Sequence, residues 1–368
     1  MAYSYNELWQ MLGQATDLPY GPGQVAALEQ VLRHTDAAGE TELAFQTRMI
    51  LTQSYVMSGE PAKSFVTFSR CLAEYDADPG LDHHEAWSWE LLWYFKFAVS
   101  GLLKFPEVPL DRTYAVLDDM ERRYREAGEK TQAVYHYRHL VARHIGDDDA
   151  AARWYERWVT APRDDLSDCA GCDPDSRMAY LATTGRDAEA IAVGEAALAQ
   201  KLDCEKQPQS VLGALMFPYL RTGRSDEAAD AFRRSYRGAK DKLGEMGAVA
   251  DHIEFCARTG NEHRGLELLE RHLSWLPKAP SPAAVMSFTA SGGLLLRRLT
   301  ELGHGDAPVR RGEETVPAAE LAAEMSRTSR ELGTRFDARN GTPARSAAVE
   351  RVLTAEPYTT RAISLNER

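Results

Sequence analysis

The sharpest local motif in this sequence is Cys169-Ala-Gly-Cys172. A C-x-x-C pair can give two thiolate ligands to zinc, and Cys204, one helix pair further along, could give a third. No second close-spaced pair completes a four-ligand set, and the nearest histidines in sequence, His144 and His252, are remote. A redox dithiol is the other chemistry this spacing allows, but such a pair normally opens a helix after a strand. The plainest reading is a pair of semi-buried thiols at the entry of a helix, before Asp173-Pro174, with no metal and no cofactor. His83-His84-Glu85 sets its imidazoles side by side, the wrong spacing for one helix face. It follows Pro79-Gly80 and reads as a solvated helix start. Gly128-Glu-Lys130-Thr131 looks like a fragment of a phosphate loop. However, Tyr124 and Glu129 stand where the cradle needs glycines, and no strand precedes it, so a helix–helix turn fits better. There is no nucleophile elbow, zincin helix or dinucleotide fingerprint. With no convergent polar site, the chain is expected not to be an enzyme.

The remaining chemistry is that of surfaces. The 368 residues carry a net charge of −12, which repels phosphate backbones and anionic membranes. Nucleic acid and membrane are therefore not expected as partners. No stretch approaches the roughly 18 apolar residues of a span, and Met1–Leu12 lacks the pattern of a signal peptide. Five cysteines, an odd number, fit a reducing cytoplasm better than a disulfide framework. The excess of Arg over Lys hints at a GC-rich bacterial genome.

The elements that must position any such surface are repeated. Tyr180-Leu-Ala-Thr-Thr-Gly185-Arg-Asp-Ala-Glu-Ala190 recurs as Tyr219-Leu-Arg-Thr-Gly223-Arg-Ser-Asp-Glu-Ala228 and as Phe255-Cys-Ala-Arg-Thr-Gly260-Asn-Glu-His-Arg-Gly265. Earlier copies run through Gly59 and Gly146, and Gly146, Gly185, Gly223 and Gly260 are spaced 39, 38 and 37 residues apart. Each glycine predicts a left-handed helix end. Asp148, Asp187, Ser225 and Asn261 are expected to cap the next helix, and Pro61 suits a first turn. Such short connections force antiparallel hairpins. Five residues after each glycine stands a small residue: Ser64, Ala151, Ala190, Ala228 or Gly265. Small residues there predict close helix crossings. The segment from Trp87 to Phe97 is aromatic on several sides, which suits a helix buried on most faces or one at a partner or self-association surface. An apolar helix over 281–302, a Gly/Pro-rich loop over 303–317 and a helix over about 318–337, ended by Asn340-Gly341, complete the pattern.

On these turns the chain resembles the tetratricopeptide repeat family. Tyr55 and Tyr219, four residues before their glycines, and Pro277 after Trp275 add to the likeness. It covers residues 41–75 and 130–277, with a period longer than the family's usual 34 residues. The resemblance implies an all-α solenoid of antiparallel helix pairs wound into a right-handed superhelix. Four segments follow from it: N-terminal helices or cap over 1–40, the repeat array over 41–277, a C-terminal helical cap over 278–340 and a loosely ordered tail over 341–368. It also implies a protein- or peptide-binding scaffold whose first helices line a concave groove, or a peptide-sensing regulator acting on a partner protein. Carried onto this chain, the family's ligand-facing positions fall at Gln46 and Gln53, at His136 and Arg143, at Arg221, and at Glu254 and Arg258. Such a stripe suits an acidic segment or a free C-terminus, because guanidinium forks pair with carboxylates. Circular dichroism should report more than roughly half of the residues helical, against a base rate of about a third; strand content above about a tenth would contradict the fold.

Overall fold

The computed structural model describes residues 3–77, 86–202, 204–359 and 361–365. His83-His84-Glu85 therefore lies outside the described residues. The described chain divides into two compact units, Met1–Leu166 and Ser167–Arg368. Both are built of antiparallel helix pairs, the solenoid architecture expected from the glycine turns. Among the described residues, no helix is long and apolar enough to cross a membrane.

Unit 1 runs α1 (Tyr5–Thr16), α2 (Pro22–Ala38), α3 (Thr41–Met57), α4 (Pro61–Ala77), α5 (Ser88–Leu102), α6 (Leu110–Glu126), α7 (Gln132–Ile145) and α8 (Asp148–Thr160). Unit 2 runs α9 (Cys172–Thr183), α10 (Asp187–Leu198), α11 (Gln209–Arg221), α12 (Ser225–Ala239), α13 (Met246–Arg258), α14 (Glu262–His272), α15 (Pro282–Leu299), α16 (Ala318–Asn340) and α17 (Ala344–Leu353). Each helix packs against its hairpin partner. The first helices also touch one another: α3, α5 and α7 in unit 1, and α9, α11, α13 and α15 in unit 2.

One turn geometry closes the pairs. Gly59, Gly146, Gly185, Gly223 and Gly260 all adopt φ between +68° and +82°. In each turn the next residue's N–H reaches back to the carbonyl four residues before the glycine: Glu60 to Tyr55 at 2.7 Å, Asp147 to Ala142 at 3.0 Å, Arg186 to Leu181 at 2.8 Å, Arg224 to Tyr219 at 2.8 Å and Asn261 to Cys256 at 3.0 Å. This bond satisfies a helix-end carbonyl that would otherwise lack an intrahelical donor. The chain then re-enters a helix, and the fifth residue after the glycine meets the first helix. Ser64, Ala151, Ala190 and Ala228 are all at most 3% exposed. A Cβ at Gly265 would stand 2.6 Å from Leu295 Cδ1, so no larger residue fits without a shift.

The expected caps are only partly realised. Asp147, not Asp148, caps α8, accepting from Ala150 N at 2.9 Å. Asp187 and Ser225 are first helical residues with no capping bond, since the residue after the glycine has already taken the cap position. Asn261 is a cap by position, but its amide turns back to the Thr259 carbonyl at 3.0 Å.

In unit 1 the aromatic helix α5 buries Leu91, Tyr94, Phe95, Ala98 and Val99 against Phe45, Phe68, Leu117, Tyr124 and Val134. Trp89 is left 41% exposed and stacks on Trp93 at 5.0 Å between centroids. The side chain buried in the midst of these rings is Lys96, whose Nζ donates to the Leu166 carbonyl at 2.9 Å and lies over the Trp93 ring. That charge-assisted bond satisfies a group that would be costly to bury alone. A second buried cation, Arg48 on α3, bridges Asp36 of α2 at 3.2 Å and Glu74 of α4 at 2.7 Å.

In unit 2 the loop over 303–317 holds a feature with no alternating signal in the sequence: strands β1 (Pro308–Arg311) and β2 (Glu314–Pro317), paired antiparallel with Val309 opposite Val316. Four-residue strands are too short for alternation to show, and the hairpin exists because both valines are buried. The tail expected to be loose carries α17, whose Val349 and Leu353 pack with Phe336 and Met286. Asp337 accepts from the N–H groups of Arg345 and Ser346 and so caps α17 from the preceding helix. Gly341 ends α16 in the left-handed conformation, as Asn340-Gly341 predicts.

The crossing register makes a direct prediction. Ala228→Leu, at a fully buried crossing, should lower unfolding free energy by about 1–3 kcal/mol through overpacking; an unchanged denaturation midpoint would mean the crossing tolerates a larger side chain.

Candidate functional site

The surface that the first helices share in unit 2 is charged and crowded. Asp175 lies in the first turn of α9, and Asp251 and Glu254 lie one turn apart on α13. Desolvation pushes the Asp175 carboxyl up to about 7, with the like charges of Glu245 and the Cys169 sulfur adding to it. Desolvation likewise pushes Asp251 up to about 7, aided by Glu254 and Asp175. Asp251 is nevertheless exposed. Its neighbours on the first helices bring like charges close to it. Glu254 is also raised by burial, against the pull of Arg258, which bonds it at 2.9 Å. Perturbed groups clustered on one surface are a functional-site signal.

Two arginines stand at the ends of the first helices beside this surface. Arg221, the last residue of α11, grips Asp187 with Nε at 2.8 Å and Nη2 at 2.6 Å. Arg258, the last residue of α13, pairs with Glu254 and donates from Nε to the Glu356 carbonyl at 3.2 Å. Its guanidinium lies 4.0 Å from the centroid of the Tyr358 ring, and Arg221 and Tyr358 border the same cleft. The chain's own C-terminal segment is thus extended across the α13–α14 turn. Tyr358 N donates to the Arg258 carbonyl at 2.8 Å and Ile363 N to the Thr259 carbonyl at 3.2 Å. A Cβ at Gly260 would stand 3.0 Å from Ala362 N, so this glycine is needed for the docked segment as well as for its φ of +68°. Beyond the turn, Ile363 and Leu365 border a cleft between α12 and α14 lined by Phe232, Tyr236, Arg233 and Arg264.

Arg221, Glu254 and Arg258 stand near one another and are engaged by Asp187, one another and the tail. The other four expected groove residues belong to unit 1. Gln53 on α3 accepts from the Tyr94 hydroxyl of α5 at 3.3 Å, and Gln46 leans on Glu42 at 3.5 Å. Arg143 is half-buried near the end of α7. His136 does not face a groove. It is 2% exposed, with its ring stacked on Trp158 at 4.0 Å, because α8 packs on that side of α7. Other histidines are framework too: His139 Nδ1 bonds the Ala151 carbonyl at 2.8 Å and His252 Nδ1 the Ala248 carbonyl at 2.6 Å, and burial holds both near 4, hence neutral. Lys130 lies in a helix–helix turn after Gly128, whose φ is +75°, and its Nζ donates to the Arg163 carbonyl at 3.2 Å. Sequence reasoning missed Asp175, Asp251, Glu356 and Tyr358. The only hint lay in the acidic spacing of Asp251 and Glu254 on α13.

Cys169, Cys172 and Cys204 are all half-buried, and the loop between α10 and α11 returns Cys204 to the C-x-x-C. The sulfurs of Cys169, Cys172 and Cys204 all lie within 4.8 Å of one another. Hydrogen bonds from Cys172 and Cys204 hold the Cys169 thiol far below its usual range, while the same contacts push Cys172 up. Cys71 and Cys256 are buried in the core, and burial pushes Cys71 up to about 12.

No protein-family model matches the chain. No curated protein matches it in sequence. Among solved structures it is similar to a chain in the crystal structure of the APC/C hetero-tetramer Cut9–Hcn1. That likeness has a TM-score of 0.54 and 11% identity and covers 95% of this chain and 62% of that one. The chain thus spans less than two thirds of that neighbour, and at such identity the likeness bears on the fold alone. It agrees with the tetratricopeptide-like helix-pair architecture. A circular tandem repeat protein with novel repeat topology also matches, at 12% identity over 95% of this chain and 94% of that one, but a TM-score of 0.20 carries no argument.

The raised carboxyls have a pH signature. With native values of about 7 for Asp175 and Asp251 and unfolded values near 3.9, the native state binds more protons between these limits. Stability therefore falls as pH rises through about 4 to 7. Asp175→Asn with Asp251→Asn should stabilise the chain at pH 8 by about 1 kcal/mol, a figure reduced for solvent screening of the exposed Asp251. The gain should vanish below about pH 4. Equal denaturation midpoints for variant and parent at pH 8 would contradict a like-charged surface.

Proposed function

We propose that this chain is a protein-binding scaffold rather than a catalyst, and that unit 2 holds an extended segment of a partner across the ends of α11 and α13. The observation that supports this most directly is the placement of the chain's own residues 356–359 and 361–363. They lie there bound by main-chain hydrogen bonds, as extended peptides are bound elsewhere. The chemistry of the segment suggests that of a partner. Glu356 gives its main-chain carbonyl and Tyr358 its ring to Arg258, so an aromatic residue two positions after a main-chain acceptor fits the edge. The carboxylates of Asp175, Asp251 and Glu254 favour a Lys or Arg side chain deeper in. This revises the expected partner: Asp187 and Glu254 already neutralise much of the arginine charge, and a purely acidic segment would meet a negative surface. A free C-terminus is still compatible with the edge.

A partner segment on this surface competes with residues 356–359 and 361–363, which favours the regulatory variant of the scaffold reading, in which a bound peptide displaces the tail. The same contacts made by the tail of a second copy would give self-association. The test compares proteins retained from a lysate of the source organism by the full chain and by Arg221→Ala/Arg258→Ala, with matched circular dichroism. The retained set should be lost in the variant, and hydrogen exchange at the Tyr358 and Ile363 amides should quicken at least about tenfold, since charge-assisted hydrogen bonds contribute about 1.5–3 kcal/mol. An unchanged retained set would overturn the arginine surface as the binding site.

A further inference from the structure

The three thiols that converge in unit 2 make no hydrogen bond to Arg221, Arg258 or the tail, and their geometry is that of a metal centre. Cys169 and Cys172 flank the start of α9, and Cys204 arrives from the loop that leads to α11. Cys172 Sγ and Cys204 Sγ are 3.7 Å apart. Three sulfurs bound to one zinc at about 2.3 Å in a tetrahedral array lie about 3.8 Å from one another. A disulfide would need about 2.05 Å.

Around the sulfurs stand donors. The Cys172 main-chain N–H points at Cys169 Sγ at 3.3 Å. The Gln207 amide donates to Cys172 Sγ at 3.7 Å. Two of the three sulfurs thus have an N–H directed at them, the outer-shell arrangement that stabilises thiolate ligands on a metal. The glycine of the motif is part of the construction. A Cβ at Gly171 would stand 2.5 Å from Gln207 Cγ, and Gln207 is held in turn by the Val211 N–H at 3.2 Å.

We propose that Cys169, Cys172 and Cys204 bind one zinc(II) ion as a three-thiolate site, with its fourth position taken by water or by a ligand from a partner. The donor set selects a thiophilic ion, and a rigid array at tetrahedral spacing suits zinc. Binding exchanges thiol protons for the metal, so protons leave to solvent as each Zn–S bond forms. Bound there, zinc ties the entry of the α9–α10 pair to the loop before α11, a link across 32 residues of sequence. The same ion offers the fourth position as an anchor for a histidine, cysteine or carboxylate from another protein.

The full chain, purified under reducing conditions without chelator, should carry one zinc per molecule by elemental analysis. Cobalt(II) in its place should give the visible bands of a tetrahedral thiolate site. Cys169→Ser, Cys172→Ser and Cys204→Ser should each lose most of the metal, while Cys256→Ala keeps it. In the unaltered chain, where folding is not in question, zinc should slow alkylation of these three thiols at least tenfold and leave Cys71 and Cys256 unaffected. Failure of the reduced, unaltered chain to take up zinc or cobalt would overturn the proposal. So would an undiminished cobalt spectrum in Cys204→Ser, or a Cys172–Cys204 disulfide in freshly lysed cells that zinc does not prevent. None of these results depends on the arginine surface, so the two readings fail separately.

Discussion

The structure hangs on a hydrogen bond at the end of each first helix. A residue after the turn glycine donates to a carbonyl four positions before that glycine, and this closes the helix while reversing the chain. The bond requires the left-handed conformation that glycine enters without steric cost, at φ near +75° throughout the series. Once the turn is set, the distance to the next contact is set too. The fifth residue onward always lands against the first helix, and only Ser, Ala or Gly fits there. Nearest-neighbour packing then propagates through each unit, as in repeat arrays generally.

Regularity on the packed side leaves the other face of the first helices free to carry groups that do not serve stability. Asp175 and Asp251 illustrate this, since their like charges work against folding at neutral pH. Arg221 and Arg258 at the helix ends stand beside a segment bonded mostly through the backbone. Histidines follow the opposite logic. His136, His139 and His252 are buried in the packed side, and the last two are kept neutral by burial. A histidine on a first helix is thus no sign of a groove in this chain; its position on the helical wheel relative to the second helix decides.

Departures from the repeat are where the unusual features lie. The loop between α10 and α11 is longer than the glycine turns and brings Cys204 beside Cys169 and Cys172. The end of α16 turns into α17 and then into an extended segment that returns to the α13–α14 turn. Lys96, buried among aromatic rings in α5, holds the last carbonyl of unit 1. None of the three is periodic, and each joins residues at least 32 positions apart.

The sequence by itself determined the fold class, the glycine turns and the crossing residues, because these depend on contacts within about ten residues. Gly223 must be left-handed and Ala228 must be small whatever the rest of the chain does. Arg221 and Arg258 hold equivalent places two residues before their turn glycines, but what they bond was decided by the tertiary structure. Tertiary structure alone decided that His136 faces inward, that Val309 and Val316 pair as strands and that the tail is docked. It alone showed that three thiols meet. Those outcomes depend on the paths of irregular segments and on which side of a helix its neighbour covers. Such paths are set by the burial of a few distant side chains, which leaves no period in the sequence to read.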